Sequence, residues 1–197
     1  SGKALGILPA IEREFDTHAL AIGRVAMAWS GLHETLGEIF VDLVSPGNEA
    51  VGWDAWQAIR NDRGARDMLR AVVKSAIGAE KPAAVEIVWG LDQILPLEDM
   101  RNDAVHAPYA MIFDAGRVKM IPKHYTGNTR ARKLKDRDLA SELASYAERI
   151  SLISAFMRDL HLAGLRKPPP TLPPRPKLLR PAHSKNHTEQ RPRNNGR

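Results

Sequence analysis

Apolar positions along this chain recur mostly at helical spacing. Leu20, Val25, Trp29, Leu32, Leu36, Ile39, Phe40 and Leu43 fall near one face of a helix. With Asp16 or Thr17 as N-cap they predict a helix of about 28 residues, ended by Ser45-Pro46-Gly47-Asn48. Glu49 to Ile59 reads as a short helix carrying Trp53 and Trp56. Asp62 to Ile77 continues as helix with Met68, Leu69, Val72, Val73 and Ile77 on one side, and Gly78 as its stop. Another helix begins at Lys81-Pro82, with Val85, Val88, Trp89, Leu91, Ile94 and Leu95 apolar, and Pro96 predicts a kink or a split in it. It continues to His106, because a residue before proline, here Ala107, is pushed out of helical geometry.

Tyr109–Phe113 and Val118–Ile121 are apolar runs around Asp114-Ala115-Gly116-Arg117, which predicts a β-hairpin packed on the helices. Residues 122–135 read as a basic loop with Arg130, Arg132, Lys133 and Lys135. From Asp136 or Asp138 a last helix presents Leu139, Leu143, Tyr146, Ile150, Ile153, Phe156, Met157 and Leu160. The expected fold is mainly α, an antiparallel four-helix bundle with a short extra helix and a small β-hairpin after the third long helix.

Composition divides the chain at residue 164. Eight of the 14 prolines lie in residues 164–197, with nine Lys/Arg and one acid, Glu189. The formal net charge of +6 therefore belongs to that tail, and residues 1–163 sum to −2. We expect a helical domain over 1–163 and a disordered, Pro-rich basic tail over 164–197. Pro173-Pro174-Arg175-Pro176 resembles ligands of aromatic-grooved modules. With no cysteine, disulfides and thiolate metal sites are excluded, which fits a reducing cytoplasm. No apolar run approaches the ~18 residues of a membrane span, and the N-terminus carries no secretory pattern.

Chemistry concentrates in Met100-Arg101-Asn102-Asp103-Ala104-Val105-His106-Ala107-Pro108-Tyr109. A guanidinium and an imidazole lie within about two helical turns, with an amide and a carboxylate between. Asn102 shares a helical face with His106, whereas Arg101 points about 140° away from it. The helix C-terminus at His106 favours a cation there. Arg60-Asn61-Asp62 repeats the tripeptide Arg101-Asn102-Asp103 but has Ala65 in place of the histidine, so the tripeptide alone carries little information. Glu34 and Glu38 near His33 lack the Glu-x-x-His spacing of a carboxylate-bridged metal site, and the sequence contains no Gly-rich phosphate loop. No metal or cofactor is expected on these grounds. The histidines outside the motif read as surface positions.

Arg101-Asn102 with His106, at the end of the third long helix, resembles the signature of the HEPN superfamily of small helical proteins, many of them ribonucleases. The resemblance spans residues 10 to 163. It implies a metal-independent endoribonuclease with Arg101 and His106 as catalytic groups, and Asn102, Asp103 and Tyr109 orienting them or binding substrate. It also implies RNA as substrate, a homodimer whose two motifs share one cleft, and a toxin or phage-defence role with a nucleotidyltransferase-like antitoxin. A noncatalytic HEPN-like module that binds nucleic acid or a protein is the alternative.

Overall fold

The computed structural model describes residues 8–114, 116–123, 129–135, 137–164 and 171–178. Among them the chain is mainly helical, with one small antiparallel hairpin. In order the elements are α1 (Leu8–Val44), α2 (Glu49–Gln57), α3 (Asp62–Val73), α4 (Pro82–His106), β1 (Tyr109–Asp114), β2 (Arg117–Pro122), α5 (Thr129–Lys133) and α6 (Leu139–Gly164). The last turns after α3, Lys74–Gly78, widen into a π-helix. Gly78 closes them at φ 101, a left-handed conformation that glycine adopts without cost.

The core is one apolar cluster between α1, α3, α4 and α6. Leu32, Leu36, Leu69, Leu91, Ile94, Leu143, Ile150 and Met157 are among its fully enclosed side chains. All eight apolar positions anticipated on the last helix are buried. On the other helices some apolar positions face outward: Leu20, Met68, Val85 and Leu95 are exposed. Ala21 and Ala84 occupy the core side there, since a smaller side chain permits closer approach of the helices.

Several boundaries differ from the expectation, each for a physical reason. Helix α1 is already helical at Leu8, so Asp16 and Thr17 lie inside it and cap nothing. The Thr17 hydroxyl instead donates to the Arg13 carbonyl one turn back. The hairpin packs against this early part of α1, with the Met120 amide donating to Glu14 at 2.8 Å, and that docking holds helix where local pattern is weak. Helix α4 runs through Pro96 without splitting. Pro96 and Asp92 are both exposed, so the carbonyl left without its amide partner faces water. The basic loop contains the short helix α5, sealed by the buried Leu134 in a small second cluster with Ala107, Met120 and Leu139.

The hairpin pairs Tyr109 with Pro122 and Asp114 with Arg117, and Gly116 supplies the positive φ its tight turn requires. In the tail, residues 171–178 carry no regular secondary structure and dock on the helices, with Leu172 and Leu178 packed on the core cluster. The remainder of the expected tail, 165–170 and 179–197, lies outside the described residues. No helix among the described residues is long and apolar enough to cross a membrane.

Candidate functional site

Helix α4 ends at His106, and Ala107 turns into extended geometry (φ −68, ψ 134) ahead of Pro108. The motif therefore occupies the last turn and a half of α4 and the first residue of β1. Because successive helical residues diverge by about 100°, it fans out over different faces.

Arg101 points toward α1 and α3. Its Nη2 donates to Asp62 in the first turn of α3, and its Nη1 donates to the Asn102 side-chain oxygen at 2.9 Å. The guanidinium lies over the Trp29 ring, 4.9 Å from its centroid, and Trp29 Nε1 donates to the same Asp62 carboxylate at 3.1 Å. This is a half-buried ion pair with one aromatic face beneath it. Such a pair is held by geometry as well as charge, since a planar guanidinium both stacks and forks.

Asp103 points the other way. It is buried and its carboxylate meets Lys133 of α5 at 3.1 Å. Burial pushes its pKa above the ordinary carboxylate value, and the Lys133 ammonium opposes that shift. Tyr109 donates its hydroxyl to the Ala104 carbonyl at 2.9 Å and packs on the His18 ring at 4.3 Å, edge to face. Burial pushes its phenol up to about 12, with the nearby Asp103 acting in the same direction. His106 is exposed.

The five residues thus divide within one copy of the chain. Arg101 and Asn102 belong to a cluster with α1 and α3. Asp103 and Tyr109 belong to one with α5, the hairpin and His18. No hydrogen bond or ion pair joins Arg101 to His106 among the described residues, in keeping with their divergence of about 140° on the helix.

A part of the site was not anticipated. Beside Asp62 opens a cavity of about 600 Å³ whose lining includes Ser30, His33, Glu34, Trp53, Trp56 and Asn61. His33 sits between Trp29 and Trp56, with ring centroids at 5.4 and 6.5 Å, and its Nε2 is 3.6 Å from Asp62. Burial lowers the His33 pKa; Asp62 acts to raise it, and the guanidinium groups of Arg66 and Arg101 lower it further. The balance favours the uncharged imidazole, which can accept a hydrogen bond. Arg66, itself buried, is paired with Glu98 just behind.

Asn61 builds this corner locally. Its side chain caps α3 by accepting the Gly64 amide at 2.7 Å, which fixes Asp62 in the first helical turn. Gly37 of α1 lets the tryptophans approach, since a Cβ there would stand 2.5 Å from the Trp53 ring and 2.8 Å from Trp56 Nε1.

Two histidines expected at the surface are therefore enclosed: His18 is buried and His33 lies in the cavity. The available signal was spacing, since Trp29 and His33 are one turn apart on the apolar side of α1. Asp62, in the tripeptide set aside as uninformative, is the residue that Arg101 grips.

No protein-family model matches the chain, and no curated protein or solved structure matches it significantly.

Proposed function

We propose that this chain is a HEPN-like, metal-independent endoribonuclease whose working site lies at the end of α4. In this reading α1, α3, α4 and α6 form the antiparallel four-helix bundle of that superfamily. The observation that carries the proposal is the contact between Lys133 and Asp103. Through it the basic helix α5, with Arg130, Arg132 and Lys133, sits against the motif turn that ends in the exposed His106. Cations docked on the turn that also carries a solvent-facing imidazole suit a phosphodiester backbone.

His106 takes the proton of a ribose 2′-OH, or returns one to the leaving 5′-oxygen. The 2′-oxygen attacks phosphorus, the P–O5′ bond breaks, and a 2′,3′-cyclic phosphate results. Arg101 stabilises charge on the phosphate by charge-assisted hydrogen bonds. DNA, which lacks the nucleophile, resists. The separation of Arg101 from His106 within one copy is met by a homodimer whose two motifs line one cleft. Arg101 then exchanges the Asp62 carboxylate for a phosphate. A cytoplasmic toxin or phage-defence role, restrained by a nucleotidyltransferase-like antitoxin, belongs to the same reading.

A second reading is favoured by the Arg101–Asp62 pair itself. A guanidinium already neutralised and stacked on Trp29 describes a noncatalytic HEPN-like module that binds nucleic acid or protein. Cleavage of single-stranded RNA in the presence of EDTA separates the two, comparing the intact chain with Arg101→Ala and His106→Ala. Cleavage lost in both variants supports the nuclease. Equal cleavage in all three, or none in any, overturns it.

A further inference from the structure

The tail residues 171–178 contain Pro-Pro-Arg-Pro, a sequence with the backbone stiffness of a polyproline II segment and one fork-shaped cation. They do not run free. Arg175 sends Nε to one Glu86 carboxylate oxygen at 2.7 Å and Nη2 to the other at 3.1 Å. The same guanidinium lies over Trp89 with its carbon 4.9 Å from the ring centroid. Glu86 and Trp89 are three residues apart on α4 and so present one face. Trp89 is braced from behind by Phe156 of α6, edge to face at 5.3 Å. Leu172 and Leu178, on either side of the arginine, pack against the main core.

This arrangement has the parts of a peptide-recognition site. A braced aromatic platform takes the cation by its face, and a half-buried carboxylate takes it by its edge. Apolar contacts on both sides fix the register of the segment. A surface ion pair alone would carry little weight. Here charge, stacking and apolar anchors coincide on eight consecutive residues.

We propose that the α4 face around Glu86 and Trp89 is a recognition groove for arginine-bearing, proline-rich peptides. Its resident ligand is the chain's own Thr171–Leu178, which keeps the groove closed to the same motif offered in trans. This groove is independent of the ribonuclease reading, since it uses none of the residues of that site. Because the segment is tethered after Gly164, its effective concentration at the groove is on the order of millimolar. A free peptide at micromolar concentration competes only when the tether's own grip is weakened.

The test uses a fluorescent peptide of the sequence of residues 171–178 and the full chain, read by anisotropy. Arg175→Ala removes the resident arginine from an exposed position and leaves the helical body intact. We expect this variant to bind the peptide at least about tenfold more tightly than the unaltered chain. Adding Glu86→Ala to it should abolish binding, as should replacing the arginine of the peptide by alanine. Equal affinity of the unaltered chain and Arg175→Ala overturns the proposal. So does peptide binding that survives Glu86→Ala or loss of the peptide's arginine, or an Arg175→Ala variant of unchanged circular dichroism that binds no peptide.

Discussion

Arg101 grips Asp62: the first residue of one Arg-Asn-Asp tripeptide is ion-paired to the last residue of the other, across the packing of α4 on α3. Trp29 of α1 completes the contact, beneath the guanidinium and donating to the same carboxylate. Three helices thus converge on one charge pair at the rim of the His33 cavity. The pair orients the motif arginine whatever the motif does.

Asp62→Asn tests whether that orientation is structural or a reserve for a ligand. The half-buried guanidinium loses its counter-charge, and Trp29 keeps only a neutral acceptor. The expected cost is about 1–3 kcal/mol, because a desolvated polar group is left poorly paired. Urea unfolding measures it. Should Arg101 also serve a phosphate, the variant binds single-stranded RNA more tightly than the unaltered chain at low salt, since the competing carboxylate is gone. Unchanged RNA affinity would make the pair purely structural.

The His33 imidazole predicts a pH dependence of stability. Its pKa is lowered in the folded chain by burial, so the unfolded chain binds the proton more readily. Stability therefore falls as pH drops below the unperturbed value of 6.5, and levels off once the folded-state pKa has been passed. His18, also lowered by burial, contributes in the same direction. Asp103, whose pKa is raised, acts with the opposite sign from 3.8 upward. The difference between the unaltered chain and His33→Gln isolates the imidazole. Unfolding free energies between pH 7 and pH 5 should fall less steeply in the variant, and parallel curves would remove His33 as the cause.

Much of this fold could be read from residue pattern, because most of its helices obey local rules. The apolar side of α6 and the stops at Gly78 and Ala107 were legible for that reason. What was not legible depends on contacts distant in sequence. The early turns of α1 are held by Glu14 and the hairpin, and α5 is held by Leu134 and the Lys133–Asp103 pair. The site divides the same way. Arg101 and His106 stood out by type and spacing, but nothing local says that Asp62, thirty-nine positions earlier, takes the guanidinium. The pattern placed Trp53 and Trp56 on one short helix, where Trp56 is buried and Trp53 partly so. It could not show that they also wall a cavity, which forms only where α1, α2 and α3 meet.

Gly37→Ala should close that cavity's wall against itself. An added methyl at 2.5 Å from the Trp53 ring cannot be accommodated without moving a rigid indole. Helix propensity alone would gain about 1 kcal/mol from the change. Overpacking costs about 1–3 kcal/mol, so the net effect is destabilising by about 1 kcal/mol. Thermal unfolding gives the sign, and tryptophan fluorescence should shift as Trp53 and Trp56 are displaced. A stabilised variant with unchanged fluorescence would mean that the two helices separate freely here.

The cations of α5 separate a structural role from a nucleic-acid role residue by residue. Lys133 is half committed, since its ammonium partners the buried Asp103 carboxylate. Lys133→Ala removes that counter-charge and lets the Asp103 pKa rise further, because the ammonium, more than the nearby Arg130, opposes the shift caused by burial. A loss of about 1 kcal/mol is expected, kept small because the lysine side chain is 55% exposed. Arg132 is exposed and stands in no ion pair among the described residues. Arg132→Ala should leave stability within about 0.5 kcal/mol. If α5 contacts a phosphate backbone, that same change weakens single-stranded RNA binding. It also reduces the slope of log affinity against log salt by about 0.7, the loss of one released counterion. Titrations at several salt concentrations measure both quantities. A slope identical to that of the unaltered chain places the nucleic acid elsewhere and leaves α5 as a brace for the end of α4.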